Sequence, residues 1–162
     1  MEKQRVYAYL DQRQIPYEVT EHEAVYDMAE ASAICLPYPE SEAKNLFVRD
    51  DKKKNYYLIT VKGDKRVDLK EFRQKNNTRS LSFASAEDLK TMMGLIPGAV
   101  TPLGLLNDGE CRVQLFLDKA FLDPPALIGV HPNDNTATVW LSTEDLIRVL
   151  QERGTVVRMT EL

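Results

Sequence analysis

The sequence predicts a mixed α/β fold in which helices pack on a sheet whose strands are joined partly by short turns. Three observations carry this. Apolar residues recur at helical spacing in some segments and alternate in others, and the two kinds intermix without a regular βαβ repeat. With 162 residues and 43% apolar composition, one core can form without a disulfide or a metal to support it. Residues 1–162 are accordingly expected to form a single domain.

Val6, Tyr9, Leu10 and Ile15 make an amphipathic stripe over residues 2–15, stopped by Pro16, and residues 17–20 then alternate as a short strand. A second helix is predicted over 27–34, with Asp27 as N-cap, ended before Pro37 and Pro39. Residues 45–49 and 55–61 are rich in β-branched and aromatic side chains and flank the polar run 50–54, which predicts an antiparallel hairpin with a charged tip.

Gly63-Asp64 reads as a turn, 68–76 as a helix with Leu69 and Phe72 inward, and 80–83 as a short strand. Ser85-x-x-Asp88 has the form of a capping motif for a helix over 85–93, with Gly94 suited to a left-handed C-terminal cap. The stretch 95–102 contains Pro97, Gly98 and Pro102 and must be a loop, and its apolar content implies that it is covered or covers something. Strands over 111–117, 126–130 and 136–141 follow. A capped helix over 143–153 with Leu146, Ile147 and Leu150 inward then leads to a last strand at Val156-Val157.

Twenty-one basic and 25 acidic residues give a net charge of −4, which argues against a polyanion as partner until the distribution is considered. Residues 49–79 hold eleven basic side chains, Lys52, Lys53 and Lys54 among them, against five acidic ones. The rest of the chain carries ten basic and twenty acidic residues. Such a segment suits a phosphate backbone, and equally a solvated hairpin tip and helix.

No apolar run approaches the roughly 18 residues of a membrane span, and the N-terminus is charged and helix-like rather than a signal peptide. Cys35 and Cys111 lie far apart with no CxxC, so neither zinc nor a disulfide is expected, and the cytoplasm is the expected compartment. No metal or other cofactor is implied.

GxGxxG, Walker, HExxH and GxSxG patterns are absent, and His22 and His131 are the only imidazoles, so a nucleophilic triad has little to be built from. Cys35 could be a thiol nucleophile or an inert buried cysteine. What remains fits catalysis by positioning: Lys44-Asn45 at the mouth of a strand, the loop 98–102, and Gly129-Val130-His131-Pro132 at a strand end.

In that order and spacing, Ala43-Lys44-Asn45-Leu46-Phe47, the basic hairpin 50–58, Gly98-Ala99-Val100-Thr101-Pro102 as a GxxxP loop, and Gly129-Val130-His131-Pro132-Asn133 resemble the YbaK/ProX-type aminoacyl-tRNA deacylases. The likeness is to the free-standing prolyl-tRNA editing domains of the alanine-editing branch. It implies a central, largely antiparallel sheet curled around a small pocket. It also implies hydrolysis of the ester joining alanine to proline tRNA, with tRNA and prolyl-tRNA synthetase as partners. The cysteine-specific branch of the same superfamily, a catalytically silent tRNA-binding or synthetase-binding module, and an interaction domain with no RNA contact are the competing readings.

An aminoacyl ester is already activated. A positioned water, the neighbouring ribose hydroxyl and amide donors at the carbonyl oxygen can suffice without a triad. The resemblance assigns catalytic roles to Lys44, a cation for the acceptor end, and to Gly98, whose loop could aim an amide at the oxyanion. It assigns substrate binding to Asn45, His131, Pro102 and Gly129, and makes Lys52, Lys53 and Lys54 the tRNA contact. Taken singly, each has a plain structural alternative: Lys44 an exposed strand-entry lysine, Asn45 and Gly98 turn residues, His131 a loop histidine bonded to Asp134 or Asn135. Selection of alanine over proline is expected from a small apolar cavity between the loop after Gly98 and the strand 128–130.

Overall fold

The computed structural model describes residues 1–24 and 36–162, so the helix expected over 27–34, and Cys35, lie outside the described residues. The elements are α1 (Lys3–Gln12), β1 (Tyr17–Glu21), β2 (Ala43–Asp50), β3 (Tyr56–Lys62), α2 (Leu69–Asn76) and β4 (Leu81–Phe83). They continue as α3 (Ala86–Met93), β5 (Val113–Asp118), β6 (Leu127–Val130), β7 (Ala137–Ser142), α4 (Thr143–Glu152) and β8 (Val157–Thr160). Short 3₁₀ turns lie at Pro39–Ser41, Pro102–Asn107 and Lys119–Leu122.

The mixed α/β class holds. Among the described residues the strands form a five-stranded sheet in the order β4-β2-β3-β5-β8 and a three-stranded sheet in the order β1-β7-β6. Pairing is antiparallel between β1 and β7, β6 and β7, β2 and β3, and β2 and β4, and parallel between β3 and β5 and between β5 and β8. Over both sheets the pairing is largely antiparallel, as the resemblance implied, but the strands are divided into two sheets and the five-stranded one is mixed, with two of its four pairs parallel. A single parallel bridge between Glu42 and Gly129 connects them.

Alternation on β3 distributes the core. Tyr56 and Leu58 join a large cluster with Leu10 of α1, Leu89 of α3 and Leu146 of α4. Tyr57 and Ile59 point to the other face and meet Val48, Phe116 and Phe72 of α2. The Phe72 and Phe116 rings pack edge to face with centroids 4.9 Å apart. The five-stranded sheet is thus covered on both faces, the setting in which parallel pairs are stable.

Helix ends follow the local chemistry. Ser85 Oγ accepts from the Asp88 amide at 3.0 Å, and Gly94 closes α3 at φ +67°. Asp68 caps α2 by accepting from the Lys70 and Glu71 amides, and Ser142 caps α4 by accepting from Asp145.

Three differences from the expected boundaries have a clear local cause. Cys111 sits at φ +54°, which no strand residue adopts, so β5 begins at Val113. The last strand runs to Thr160 because β5 offers parallel partners from Leu115 to Asp118. The chain after 101 turns into a 3₁₀ segment, since Pro102 pre-sets its first turn and Thr101 Oγ1 accepts from the Leu103 amide at 3.3 Å. The stretch 95–102 is covered in part, as its apolar content implied: Leu95, Ala99, Thr101 and Pro102 are buried, whereas Ile96 is exposed. Among the described residues no helix is long and apolar enough to cross a membrane.

Candidate active site

The three separated motifs converge on one place, joined by two hydrogen bonds. Asn45 Oδ1 accepts from the buried Thr60 hydroxyl at 2.6 Å, which fixes the amide so that Nδ2 donates to the Val100 carbonyl at 3.2 Å. One residue further along the loop, Thr101 Oγ1 donates to the His131 carbonyl at 2.6 Å. Strand β2, the loop 98–102 and the segment after β6 are thereby tied side by side.

Between them lies a cavity of about 10 Å³, room for about one water molecule. Glu42, Ala43 and Asn45 line one side and Gly129, Val130, His131 and Thr138 the other. The strand 128–130 contributes its wall as expected, whereas the loop after Gly98 acts through Asn45 rather than lining the cavity itself. The lining is also more polar than the small apolar cavity expected, because Glu42, His131 and Thr138 belong to it. Gly129 is required here for packing: a Cβ at this position would lie 2.3 Å from the ring of Trp140, its cross-strand neighbour on β7.

His131 Nδ1 donates to the Ala137 carbonyl at 2.9 Å, a bond that leaves Nε2 as the atom with a free lone pair. This replaces the expected partners Asp134 and Asn135, because the turn between β6 and β7 brings the Ala137 carbonyl back to the ring. Burial lowers the His131 pKa below its ordinary value of 6.5, favouring the neutral ring. The His22 ring stands edge-on with its centroid 6.1 Å away. His22 Nδ1 donates to the Glu23 carbonyl at 2.8 Å, and in the neutral ring Nε2 accepts from Thr138 Oγ1 at 2.9 Å. Burial raises the Glu42 pKa above its ordinary 4.5, with His22 as a weaker opposing influence.

The side chains of Lys44 and Asn45 point apart. Successive strand residues face opposite sides of a sheet, and the Lys44 ammonium donates to the Lys65 carbonyl on the face away from Thr60. Lys44 and Asn45 thus stand at the start of β2, as expected for the mouth of a strand, with their side chains on its two faces. Gly98 adopts φ +90°, a conformation that favours glycine, in a turn where Ala99 donates to the Ile96 carbonyl at 3.1 Å. Pro102 is buried and opens the 3₁₀ segment.

Lys52, Lys53 and Lys54 occupy the exposed tip of the β2–β3 hairpin, held by Asp50, which accepts from the Lys54 amide and from Asn55 Nδ2. The tip stands at the far end of β2, about 25 Å from the cavity at roughly 3.3 Å per residue. The basic segment is also less uniform than its composition implied, since Lys65 pairs with buried Asp118 and Arg79 with Asp51.

Glu42, His22, Thr60 and Thr138 escaped the sequence reading. Glu42 adjoins the Lys44-Asn45 motif and Thr138 alternates within a predicted strand, but only the bridge to Gly129 and the pairing of β1 with β7 bring them together. Among the described residues no group of three His, Cys, Asp or Glu side chains could hold a metal ion.

Residues 22–149 match the family model of the aminoacyl-tRNA editing domain. The chain is 39% identical over 160 residues to the prolyl-tRNA editing protein ProX of Acetoanaerobium sticklandii, covering 99% of this chain and 97% of that one. It is 34% identical over 141 residues to the mouse (Mus musculus) prolyl-tRNA synthetase associated domain-containing protein 1, covering 85% of this chain and 82% of the relative. A solved structure described as a candidate trans-editing enzyme for prolyl tRNA synthetase superposes with a TM-score of 0.72 at 21% identity, covering 99% of this chain and 96% of that one. At that identity the superposition speaks for the fold.

Proposed function

The chain belongs to the aminoacyl-tRNA editing domain family, and from that premise we propose that it is a trans-editing deacylase that cleaves the alanyl ester of mischarged proline tRNA. The observation that carries this reading is the pair of bonds Asn45–Val100 and Thr101–His131, which gathers the three motifs around one small cavity. A site with room for about one water suits the methyl side chain of alanine better than the ring of proline.

Each residue contributes by position. The aminoacyl end enters between Asn45 and Gly129, and the neutral His131 ring offers Nε2 as acceptor to a ribose hydroxyl. The Gly98 amide donates to no acceptor among the described residues; beside the cavity rather than in its lining, it is assigned to the developing oxyanion of an ester that extends past Asn45 toward the loop. Pro102 fixes the loop that carries it. A water attacks the ester carbon and its proton passes through the neighbouring ribose hydroxyl to the ribose oxygen of the ester. As the bond from the carbonyl carbon to that oxygen breaks, alanine leaves as the free acid and the ribose hydroxyl is restored.

The acceptor strand crosses the end of β2, so that Lys44 meets a phosphate on one face while the ester lies on the other. Lys52, Lys53 and Lys54 engage the tRNA body farther away, and prolyl-tRNA synthetase, in the cytoplasm, supplies the mischarged substrate. Deacylation of Ala-tRNA and Cys-tRNA, each on the proline isoacceptor, by wild type and by Lys44→Ala tests this. Loss of Ala alone, reduced by the substitution, supports the reading. Loss of Cys alone assigns the chain to cysteine editing, and tRNA binding with no loss of either assigns it to a silent binding module.

A further inference from the structure

We propose that Glu42 recognises the α-ammonium group of the aminoacyl ester, an inference that rests on the deacylase reading above. The backbone of Glu42 is held from several sides: its amide donates to the Pro39 carbonyl at 3.4 Å, its carbonyl accepts from the Gly63 amide at 2.9 Å, and its bridge to Gly129 joins the two sheets. The residue lines the cavity, yet its carboxylate has no hydrogen bond or ion pair with any described residue. Apart from Glu42, the polar side chain of the lining that keeps an open atom is His131, whose Nε2 is an acceptor in the neutral ring and offers the carboxylate no proton.

Asn45 uses both ends of its amide on Thr60 and Val100, Thr138 bonds His22, and His131 Nδ1 bonds Ala137. Lys44, the cation nearest in sequence, donates to the Lys65 carbonyl rather than to Glu42. A half-buried carboxylate without a partner is unfavourable, and the group that relieves it is a cation brought by the ligand. Burial already disfavours its ionised form, so a bound ammonium would gain a charge-assisted bond in a partly desolvated setting.

Each aminoacyl ester carries that ammonium on the carbon next to the ester carbonyl. A carboxylate at Glu42 anchors the substrate within one bond of the reacting centre and rejects esters whose nitrogen is blocked or missing. Alanine and proline both bear the charge, so Glu42 sets substrate class while the cavity walls set side-chain size.

The test compares alanyl-tRNA with lactyl-tRNA, in which a hydroxyl replaces the amine, both on proline tRNA and each normalised to its uncatalysed hydrolysis. Wild type is expected to favour the alanyl ester by about ten- to a hundredfold. Glu42→Gln should lower the alanyl rate by that factor, leave the lactyl rate unchanged and so abolish the preference. The ratio within one preparation is independent of the fraction folded. Equal loss on both esters in Glu42→Gln, or no preference in wild type, overturns the inference while leaving the deacylase reading intact. Hydrolysis of neither ester by wild type overturns the deacylase reading and the inference with it.

Discussion

The Asn45 side-chain amide donates to the Val100 carbonyl at 3.2 Å, and this one bond couples strand β2 to the loop that begins at Gly98. Replacing Asn45 with Ala leaves that carbonyl and the buried Thr60 hydroxyl without their partner, a loss of about 1–3 kcal/mol in urea unfolding. Asn45→Asp retains an acceptor for Thr60 but cannot donate to Val100. It is expected to keep more stability than Asn45→Ala while losing deacylation to the same extent.

Gly129 and Trp140 form a second coupled pair. A Cβ at 129 would stand 2.3 Å from the Trp140 ring, and this ring belongs to the chain's single tryptophan. Gly129→Ala should destabilise the fold by about 1–3 kcal/mol through overpacking. Tryptophan fluorescence should shift in the folded protein as the ring moves. An unchanged emission maximum together with unchanged stability would contradict the packing described here.

Lys52, Lys53 and Lys54 stand at the hairpin tip, far from the cavity. Changing all three to Ala is expected to weaken tRNA binding and flatten the dependence of log K on log salt by about 0.7–0.9 for each phosphate no longer neutralised. Cleavage of bound substrate at saturation should be preserved. Unaltered affinity and slope would place the tRNA-binding surface elsewhere.

His131 supplies a pH signature. Its folded pKa is lowered from 6.5 by burial, so as the pH falls below 6.5 the unfolded chain takes up a proton that the folded ring resists. The stability associated with His131 is complete above about 6.5 and is lost as the pH falls toward the folded value. Glu42, whose pKa is raised from 4.5, acts in the opposite sense: its contribution is complete below 4.5 and is lost as the pH rises through the folded value. Proton NMR of the two histidines, assigned with His131→Gln, should show His131 titrating below 6.5. A midpoint at or above that value contradicts the buried neutral ring.

Strands and helices were legible wherever periodicity and caps agreed, as in the hairpin around Asp50 and the helix opened by Ser85. The parallel pairing of β3 with β5 and β5 with β8 was not, because no local pattern distinguishes a buried parallel strand from an antiparallel one. The motif residues were legible as a set through family resemblance, but their geometry was not. Alternation puts Lys44 and Asn45 on opposite faces, and Glu42 enters the cavity through a bridge between sheets that no spacing in the sequence encodes.

The most direct measurement is the release of amino acid from Ala-tRNA and Pro-tRNA prepared on the same proline isoacceptor and treated in parallel. The small cavity between Asn45 and His131 predicts rapid release of alanine and no acceleration for proline. Equal release of the two, or release of neither, would contradict it.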